Sequence, residues 1–193
     1  LTRTRLINRL PLAGDQAPLS LEQPYAFRWA SVLDSQGHIH SASVDKATIS
    51  YVSSRAALSL TVPLSESLSV GALALAVDGT GLGHLAWETM DELGRSTGVF
   101  YAATVSGTVP LQVAPEGFAP LIVAGPTGKL HLTWFSQDGL SYANSDDWGR
   151  ILAIEGPQRQ NPLALIAGSA EEVYVVWADG HDLWQTSSHE FIL

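Results

Sequence analysis

The stretch Gly128-Lys129-Leu130-His131-Leu132-Thr133-Trp134 sets the pattern of this 193-residue chain, because three related stretches accompany it. Aligned on the glycine, they begin at Gly37, Gly81 and Glu171, so that successive units are 44, 47 and 43 residues apart. A period of about 40–50 residues with several short strands in each unit is typical of a β-propeller blade. The repeat therefore predicts an all-β propeller in which each unit is one four-stranded sheet.

The repeat delimits one domain with four recognisable blades. We expect the blades at 23–66, 67–114, 115–160 and 161–193, with inner strands at 26–33, 71–77, 119–124 and 162–167. Residues 1–22 contain Leu10-Pro11-Leu12, and similar tripeptides end the first two units, so this segment is predicted to form an outer strand, where proline is tolerated. The segment either closes blade 4, or the chain is part of a larger propeller. Because the chain begins with Leu1 and lacks a signal-peptide layout, we expect a processed product or a piece of a longer chain.

Composition narrows the possible functions. Hydrophobic residues make up 46% of the chain and charged residues 15%, which favours a compact body over disorder. The net charge of -9 argues against binding to nucleic acid, which requires a basic patch. The longest apolar run, 70–77, is too short to cross a bilayer, so no membrane insertion by this segment is expected. The absence of cysteine excludes disulfides and thiolate chemistry.

Two columns of the alignment hold large rings. One contains Trp87, Trp134 and Trp177, with serine at position 43, and the other contains Tyr51, Tyr101, Tyr142 and Trp184. Such rings either form a platform for sugars or fill the space between neighbouring blades. Their recurrence in successive units favours packing, because a ligand site rarely needs the same residue on every blade.

A third column holds His40, His84, His131 and Tyr174. A shared zinc ion would need ligand nitrogens about 2 Å from the metal, whereas packed sheets are about 10 Å apart. The column is therefore predicted to be hydrogen-bonded and structural. No metal, cofactor or catalytic residue is predicted, since the chain has no nucleophile elbow, zinc-protease motif or phosphate loop.

Unit two is longer than its neighbours after Trp87. We predict an inserted rim loop over 88–98, which carries Glu88, Asp91, Glu92 and Arg95. Propeller insertions lie at the rim, where binding sites are built, so these four residues are binding candidates. Arg28, which has no equivalent in the other units, is the fifth. The alternative is an acidic loop that is merely solvated.

The segment from Tyr142 to Gly149 resembles the Asp-box of the sialidase-like (BNR) propellers, Ser-x-Asp-x-Gly-x-Thr-Trp. Ser145, Asp147 and Gly149 match it, which implies an Asp-box-like turn from Ser145 to Gly149, and Phe27-Arg28-Trp29-Ala30 is similar to the family's Phe-Arg-Ile-Pro. The resemblance implies a degenerate propeller that is extracellular or at the cell surface. We expect the chain to act without catalysis, as a structural subunit or as a module that binds a protein or a glycan. The alternative is a sialidase-type glycoside hydrolase in which Arg28 belongs to a clamp for the substrate carboxylate.

Overall fold

The computed structural model describes residues 28–45, 48–55, 59–63, 68–154, 162–168, 172–179 and 182–188. These residues contain fifteen β-strands and no α-helix, which confirms the all-β prediction. The outer strand predicted within 1–22 lies outside the described residues. In the described part of the chain, no helix is long and apolar enough to span a membrane.

The strands form four antiparallel sheets, each an up-and-down meander in chain order. The strands of blades 1 and 2 are β1 (Trp29–Leu33), β2 (Ile39–Asp45), β3 (Thr48–Ser53), β4 (Ser59–Pro63), β5 (Ser69–Val77), β6 (Gly83–Met90), β7 (Ser96–Ala103) and β8 (Leu111–Ala114). Those of blades 3 and 4 are β9 (Phe118–Ala124), β10 (Leu130–Ser136), β11 (Gly139–Asn144), β12 (Asp147–Ile154), β13 (Pro162–Ala167), β14 (Val173–Asp179) and β15 (Asp182–Ser187). Blade 4 thus has three described strands, and each other blade has four.

The first strand of each blade packs against the first strand of the next. Strand β1 contacts β5, β5 contacts β9, and β9 contacts β13. These strands are therefore the inner strands, and the sheets follow one another around an axis as blades do in a propeller.

The core lies between the blades. One hydrophobic cluster joins blades 1 and 2, a second joins blades 2 and 3, and a third joins blades 3 and 4. Each cluster contains one of the repeated tryptophans, Trp87, Trp134 or Trp177, and all three side chains are buried. Each ring projects from the second strand of its blade toward the preceding blade, where it removes a large apolar area from water.

Each blade is closed by the same hydroxyl contact. The side-chain oxygen of a serine or threonine after the third strand accepts the N–H of the residue that begins the second strand. The four residues are Ser54, Thr104, Ser145 and Ser188, at 2.9, 3.0, 3.0 and 3.2 Å. We call this contact the hydroxyl clasp. Its sequence separation is 15 residues in blades 1, 3 and 4 and 21 in blade 2.

The prediction of a rim loop over 88–98 is wrong. Strand β6 continues to Met90 and β7 begins at Ser96, so only a five-residue turn, 91–95, separates them. The added residues lengthen both strands of one hairpin, and the hydroxyls of Thr89 and Thr97 meet across it at 2.8 Å. The clasp residues are 21 positions apart in blade 2 and 15 in the other blades, so the hairpin gains six residues. Because six is an even number, side chains still alternate between the two faces of the sheet in the same order.

Candidate functional site

A cleft of about 500 Å³ lies between the extended hairpin of blade 2 and the start of blade 3. Its blade 2 wall is the turn after β6. Its blade 3 wall combines the segment that enters β9 with the β10–β11 hairpin. The lining residues are Asp91, Arg95, Ser96, Glu116, Gly117, Phe118, Ser136 and Gln137. Two of the five binding candidates from the sequence, Asp91 and Arg95, thus line one cleft.

The blade 2 wall is held by the Asp91 carboxylate. One oxygen accepts the backbone N–H groups of Leu93 and Arg95, both at 2.9 Å. The other accepts the Arg95 guanidinium through Nε at 2.8 Å and Nη2 at 2.7 Å. The Arg95 backbone and side chain, together with the Leu93 N–H, hold the pKa of Asp91 below its usual value. The turn therefore presents a guanidinium whose orientation is fixed and whose side chain is 72% exposed.

The blade 3 wall combines an aromatic ring with polar groups. Phe118 stacks on Phe135, with ring centroids 5.5 Å apart, and is 36% exposed. The Gln137 amide donates to the Glu116 carboxylate at 3.2 Å, which orients both side chains at the edge of the cleft. An apolar ring thus lies beside groups that donate and accept hydrogen bonds.

The base of the cleft joins the two blades. Gly117 donates its N–H to Ser96 Oγ at 2.9 Å, and Ser96 Oγ lies 2.7 Å from the Gly117 carbonyl oxygen. A Cβ at position 117 would lie 2.4 Å from Trp134 Cδ1. Only glycine fits this position, because the backbone passes directly over the buried indole.

Glu88, the third candidate, lies in β6 and is buried rather than exposed. Burial raises the pKa of its carboxyl, although backbone N–H groups of Ala119 and Ala72 donate to it. Its carboxylate occupies the space beside Gly71, where a Cβ would be 2.7 Å from the carboxyl carbon. Glu88 therefore links the inner strands of blades 2 and 3, and Ala119 itself has a positive φ of 51°.

The remaining binding candidates from the sequence lie outside the cleft. Glu92 is exposed in the same turn. Arg28 is exposed at the start of blade 1, where its carbonyl accepts the Val44 N–H at 2.8 Å. Among the described residues that line the cleft, one is an arginine, Arg95.

The Asp-box-like segment lies at the opposite rim, next to the turn that precedes β10. Ser145 forms the hydroxyl clasp of blade 3, and residues equivalent to it occur in the other blades. The turn comprises residues 145–146 only, so the prediction that it extends to Gly149 is corrected. Asp147 and Gly149 belong to β12, where the Asp147 carboxylate accepts the Gly149 N–H at 3.0 Å.

The histidine column is hydrogen-bonded within each blade, as predicted. The Nδ1 atoms of His40, His84 and His131 lie 2.6, 3.0 and 2.7 Å from the hydroxyls of Tyr51, Tyr101 and Tyr142. In blades 1 and 2, Nε2 faces the carboxylate of an aspartate in the preceding turn, Asp34 or Asp78, at 3.4 and 3.3 Å. The buried Tyr142 therefore has a polar role as well as a packing role.

Burial and hydrogen bonding set the charges of this column. Burial lowers the pKa of His84 and outweighs the opposing effect of Asp78. Burial would raise the pKa of Asp78, but hydrogen bonds from Thr80, Leu82 and His84 outweigh it and lower that pKa. Among the described residues, no group of three His, Cys, Asp or Glu side chains has a geometry that could hold a metal ion.

No family model matches the chain, and neither does any curated protein. Among solved structures, it is similar to a protein of unknown function from Dyadobacter fermentans, with a TM-score of 0.53 and 15% identity over 82% of this chain and 51% of that one. It is also similar to α-L-arabinanase from Penicillium chrysogenum, solved with arabinobiose, with a TM-score of 0.53 and 10% identity over 85% of this chain and 58% of that one. The chain thus spans about half the length of these structures. At these identities the likeness concerns the fold alone, and the arabinanase is a β-propeller.

Proposed function

We propose that this chain is a non-catalytic binding module of propeller type that takes a neutral oligosaccharide in the cleft between blades 2 and 3. The observation that supports the proposal is the composition of the two walls. A sugar ring has apolar C–H faces and a rim of hydroxyls, so it needs an aromatic surface beside hydrogen-bonding groups. Phe118 offers the first, and Arg95, Glu116 and Gln137 offer the second.

The polar groups of the cleft are matched to hydroxyls. A hydroxyl both donates and accepts, so it can bridge the Glu116 carboxylate, which accepts, and the Arg95 guanidinium, which donates. The Gln137 amide can do both, and its contact with Glu116 holds it in place. Groups that are already oriented lose little rotational freedom when a ligand binds.

The charge of the cleft favours a neutral ligand over an acidic one. Arg95 is already paired with Asp91, and Glu116 adds a further negative charge on a chain whose net charge is -9. A sialidase-type clamp would need several arginines together. Among the described residues, Arg55 instead donates to the Thr80 carbonyl at the opposite rim, and Arg150 is exposed on the outer strand β12.

Arabinobiose is a suitable first probe, because the fold neighbour from Penicillium chrysogenum was solved with it. Two experiments test the proposal. One is calorimetric titration with arabinobiose, and the other is a glycan array that contains neutral and sialylated oligosaccharides. We expect neutral sugars to bind and sialylated ones to be rejected. Exclusive binding of sialylated glycans, or capture of protein partners with no glycan bound, would contradict the proposal.

Two matched pairs of variants test the location. Phe118→Ala should weaken binding about tenfold or more, since it removes the aromatic wall, whereas Leu93→Ala at the exposed tip of the turn should leave binding unchanged. Glu116→Gln should weaken binding, and Glu92→Gln outside the lining should not. Thermal unfolding of each variant shows whether the fold is retained. Equal affinities within both pairs would place the binding site elsewhere.

A further inference from the structure

Glu88 differs in kind from the residues at the same position of the other blades. It follows the repeated Trp87, and the residues equivalent to it in blades 1, 3 and 4 are all apolar: Val44, Phe135 and Ala178. An apolar side chain is therefore sufficient to pack this position, whereas a buried carboxylate costs free energy unless it is well hydrogen-bonded. The carboxylate occurs where blade 2 borders the cleft, which indicates a role beyond packing.

The Glu88 carboxylate binds backbone groups of two inner strands. The ladder between β5 and β6 shifts register around Ala72, and the ladder between β9 and β10 shifts register around Ala119. Such bulges leave N–H groups without a partner in the ladder. Glu88 accepts both of these N–H groups, with 3.4 Å between its Oε2 and the Ala119 nitrogen. Room for the carboxylate exists because residue 71 is a glycine, where a Cβ would lie 2.7 Å from the carboxyl carbon.

Backbone N–H groups are the partners of this carboxylate, and no cation accompanies them. Of the described strands that pack on β6, β5 and β9 contain no ionisable residue, and β7 contains only Tyr101, whose hydroxyl contacts His84. Burial raises the pKa of Glu88, so the ionised form is held in the folded chain at a cost in stability. Costs of this kind are retained mainly at functional sites.

Ala119 adds a second cost at the same place. Its φ of 51° is positive, and the other described residues with a positive φ are all glycines. A residue with a side chain keeps this conformation only where its surroundings enforce it, which occurs most often at ligand sites. Two residues earlier, Ser96 Oγ binds both the N–H and the carbonyl oxygen of Gly117. The backbone of Phe118 is thus held on one side by Ser96 and on the other by Glu88.

We propose that Glu88 is the positioning residue of the cleft: its carboxylate holds the Ala119 N–H and so fixes the Phe118 ring in the wall that a sugar contacts. This inference rests on the proposed function of the cleft. A ligand then meets an aromatic wall that is already in place, and little affinity is lost to ordering it. Without the carboxylate, the wall is correctly formed for only part of the time, and the apparent affinity falls by that fraction.

Fluorine NMR tests the position of the ring in the absence of any ligand. The chain contains five phenylalanines, and after labelling with para-fluorophenylalanine the signal that is missing from Phe118→Ala belongs to Phe118. Glu88→Gln should shift or broaden this signal, because a neutral amide oxygen accepts N–H groups more weakly than a carboxylate does. Gly71→Ala should do the same, since it displaces the carboxylate and retains its charge. Glu92→Gln, which removes a charge outside the cleft lining, should leave the signal unchanged.

Calorimetric titration of the same variants with arabinobiose measures the consequence for binding. Glu88→Gln and Gly71→Ala should each raise the dissociation constant about fivefold. The double variant should bind about as well as either single variant, because both substitutions disrupt one contact. Thermal unfolding at neutral pH should show Glu88→Gln to be at least as stable as wild type, since glutamine removes the cost of a buried charge. Affinity that falls while stability is retained separates positioning from a general structural role.

The outcomes distinguish this inference from the proposed function. An unchanged Phe118 signal in both variants, or equal dissociation constants for wild type and Glu88→Gln, would overturn the positioning role. A loss of affinity only in proportion to a loss of stability would also overturn it. Failure of the wild-type chain to bind any sugar would instead overturn the proposed function, and the fluorine signals would still decide whether Glu88 positions Phe118.

Discussion

Gly117 provides the sharpest test of how the blade 2–blade 3 seam is built. Its φ is 139°, and a Cβ there would lie 2.4 Å from Trp134 Cδ1, 2.9 Å from Val99 Cγ2 and 3.0 Å from the Phe135 carbonyl oxygen. Gly128 also has a positive φ, 87°, but a Cβ there would meet no atom within 4 Å. The two glycines therefore differ in packing while sharing the disfavoured sign of φ.

Alanine at these positions separates the two effects. Gly128→Ala carries only the backbone term, about 1–2 kcal/mol for a left-handed residue with a side chain. Gly117→Ala adds overpacking against a buried ring and a backbone oxygen, about 1–3 kcal/mol more. We expect Gly117→Ala to lower the free energy of unfolding by about 4 kcal/mol and Gly128→Ala by about 1 kcal/mol.

Urea unfolding followed by tryptophan fluorescence measures both values. The Trp134 emission of folded Gly117→Ala should also change, because the ring must move to make room, whereas Gly128→Ala should retain the wild-type spectrum. Equal losses of stability would refute the steric reasoning and would mean that the seam adjusts without strain.

Three further predictions concern single polar side chains. Ser145→Ala should lower the free energy of unfolding by about 1 kcal/mol, because it leaves the Leu130 N–H without its side-chain acceptor. Ser145→Thr should be nearly neutral, since Thr104 forms the same clasp in blade 2. Urea unfolding of both variants checks these two values. The pKa of His84 is lowered in the folded chain, so its contribution to stability is present above about pH 6.5 and is lost as the pH falls below that value. The raised pKa of Glu88 acts in the opposite direction, so the stability of Glu88→Gln relative to wild type should increase between pH 4 and pH 7. Urea unfolding of both chains across this range would contradict the Glu88 assignment if the two curves stayed parallel, and the same comparison with His84→Gln tests the His84 assignment.

The period of the repeat was sufficient to predict the blades, because the turn before each second strand and the apolar strand after it are encoded locally. Asp34 and Asp78 accept backbone N–H groups two and four residues later, which is the local bonding that their sequence pattern indicates. The histidine column could be predicted for a similar reason, since each histidine has its tyrosine on the neighbouring strand.

The extended hairpin of blade 2 could have been found from the same signal. Asp91 and Gly94 repeat the Asp-x-x-Gly spacing of Asp34 and Gly37, and both turns close with the same backbone hydrogen bonds. The histidine–tyrosine separation of 17 residues in blade 2, against 11 in blades 1 and 3, also indicates paired lengthening of two strands. A count of added residues alone does not distinguish a loop from a longer hairpin.

The cleft and the hydroxyl clasp could not be predicted from the sequence. Glu116 and Phe118 face Asp91 only because two blades pack side by side, and no local pattern encodes that approach. The clasp residue is serine in blades 1, 3 and 4 but threonine in blade 2, where the separation also changes, so an alignment on the glycines does not place Thr104 in the column of the three serines.

The turn at 91–95 has a consequence for the thermodynamics of binding. An unstructured rim loop would lose about 1–2 kcal/mol of backbone entropy for each residue that a ligand immobilises. Here the Asp91 carboxylate and the flanking strands already restrict those five residues. A ligand in the cleft should therefore bind with little ordering of the protein, and the free and bound backbones should superimpose to within about 1 Å.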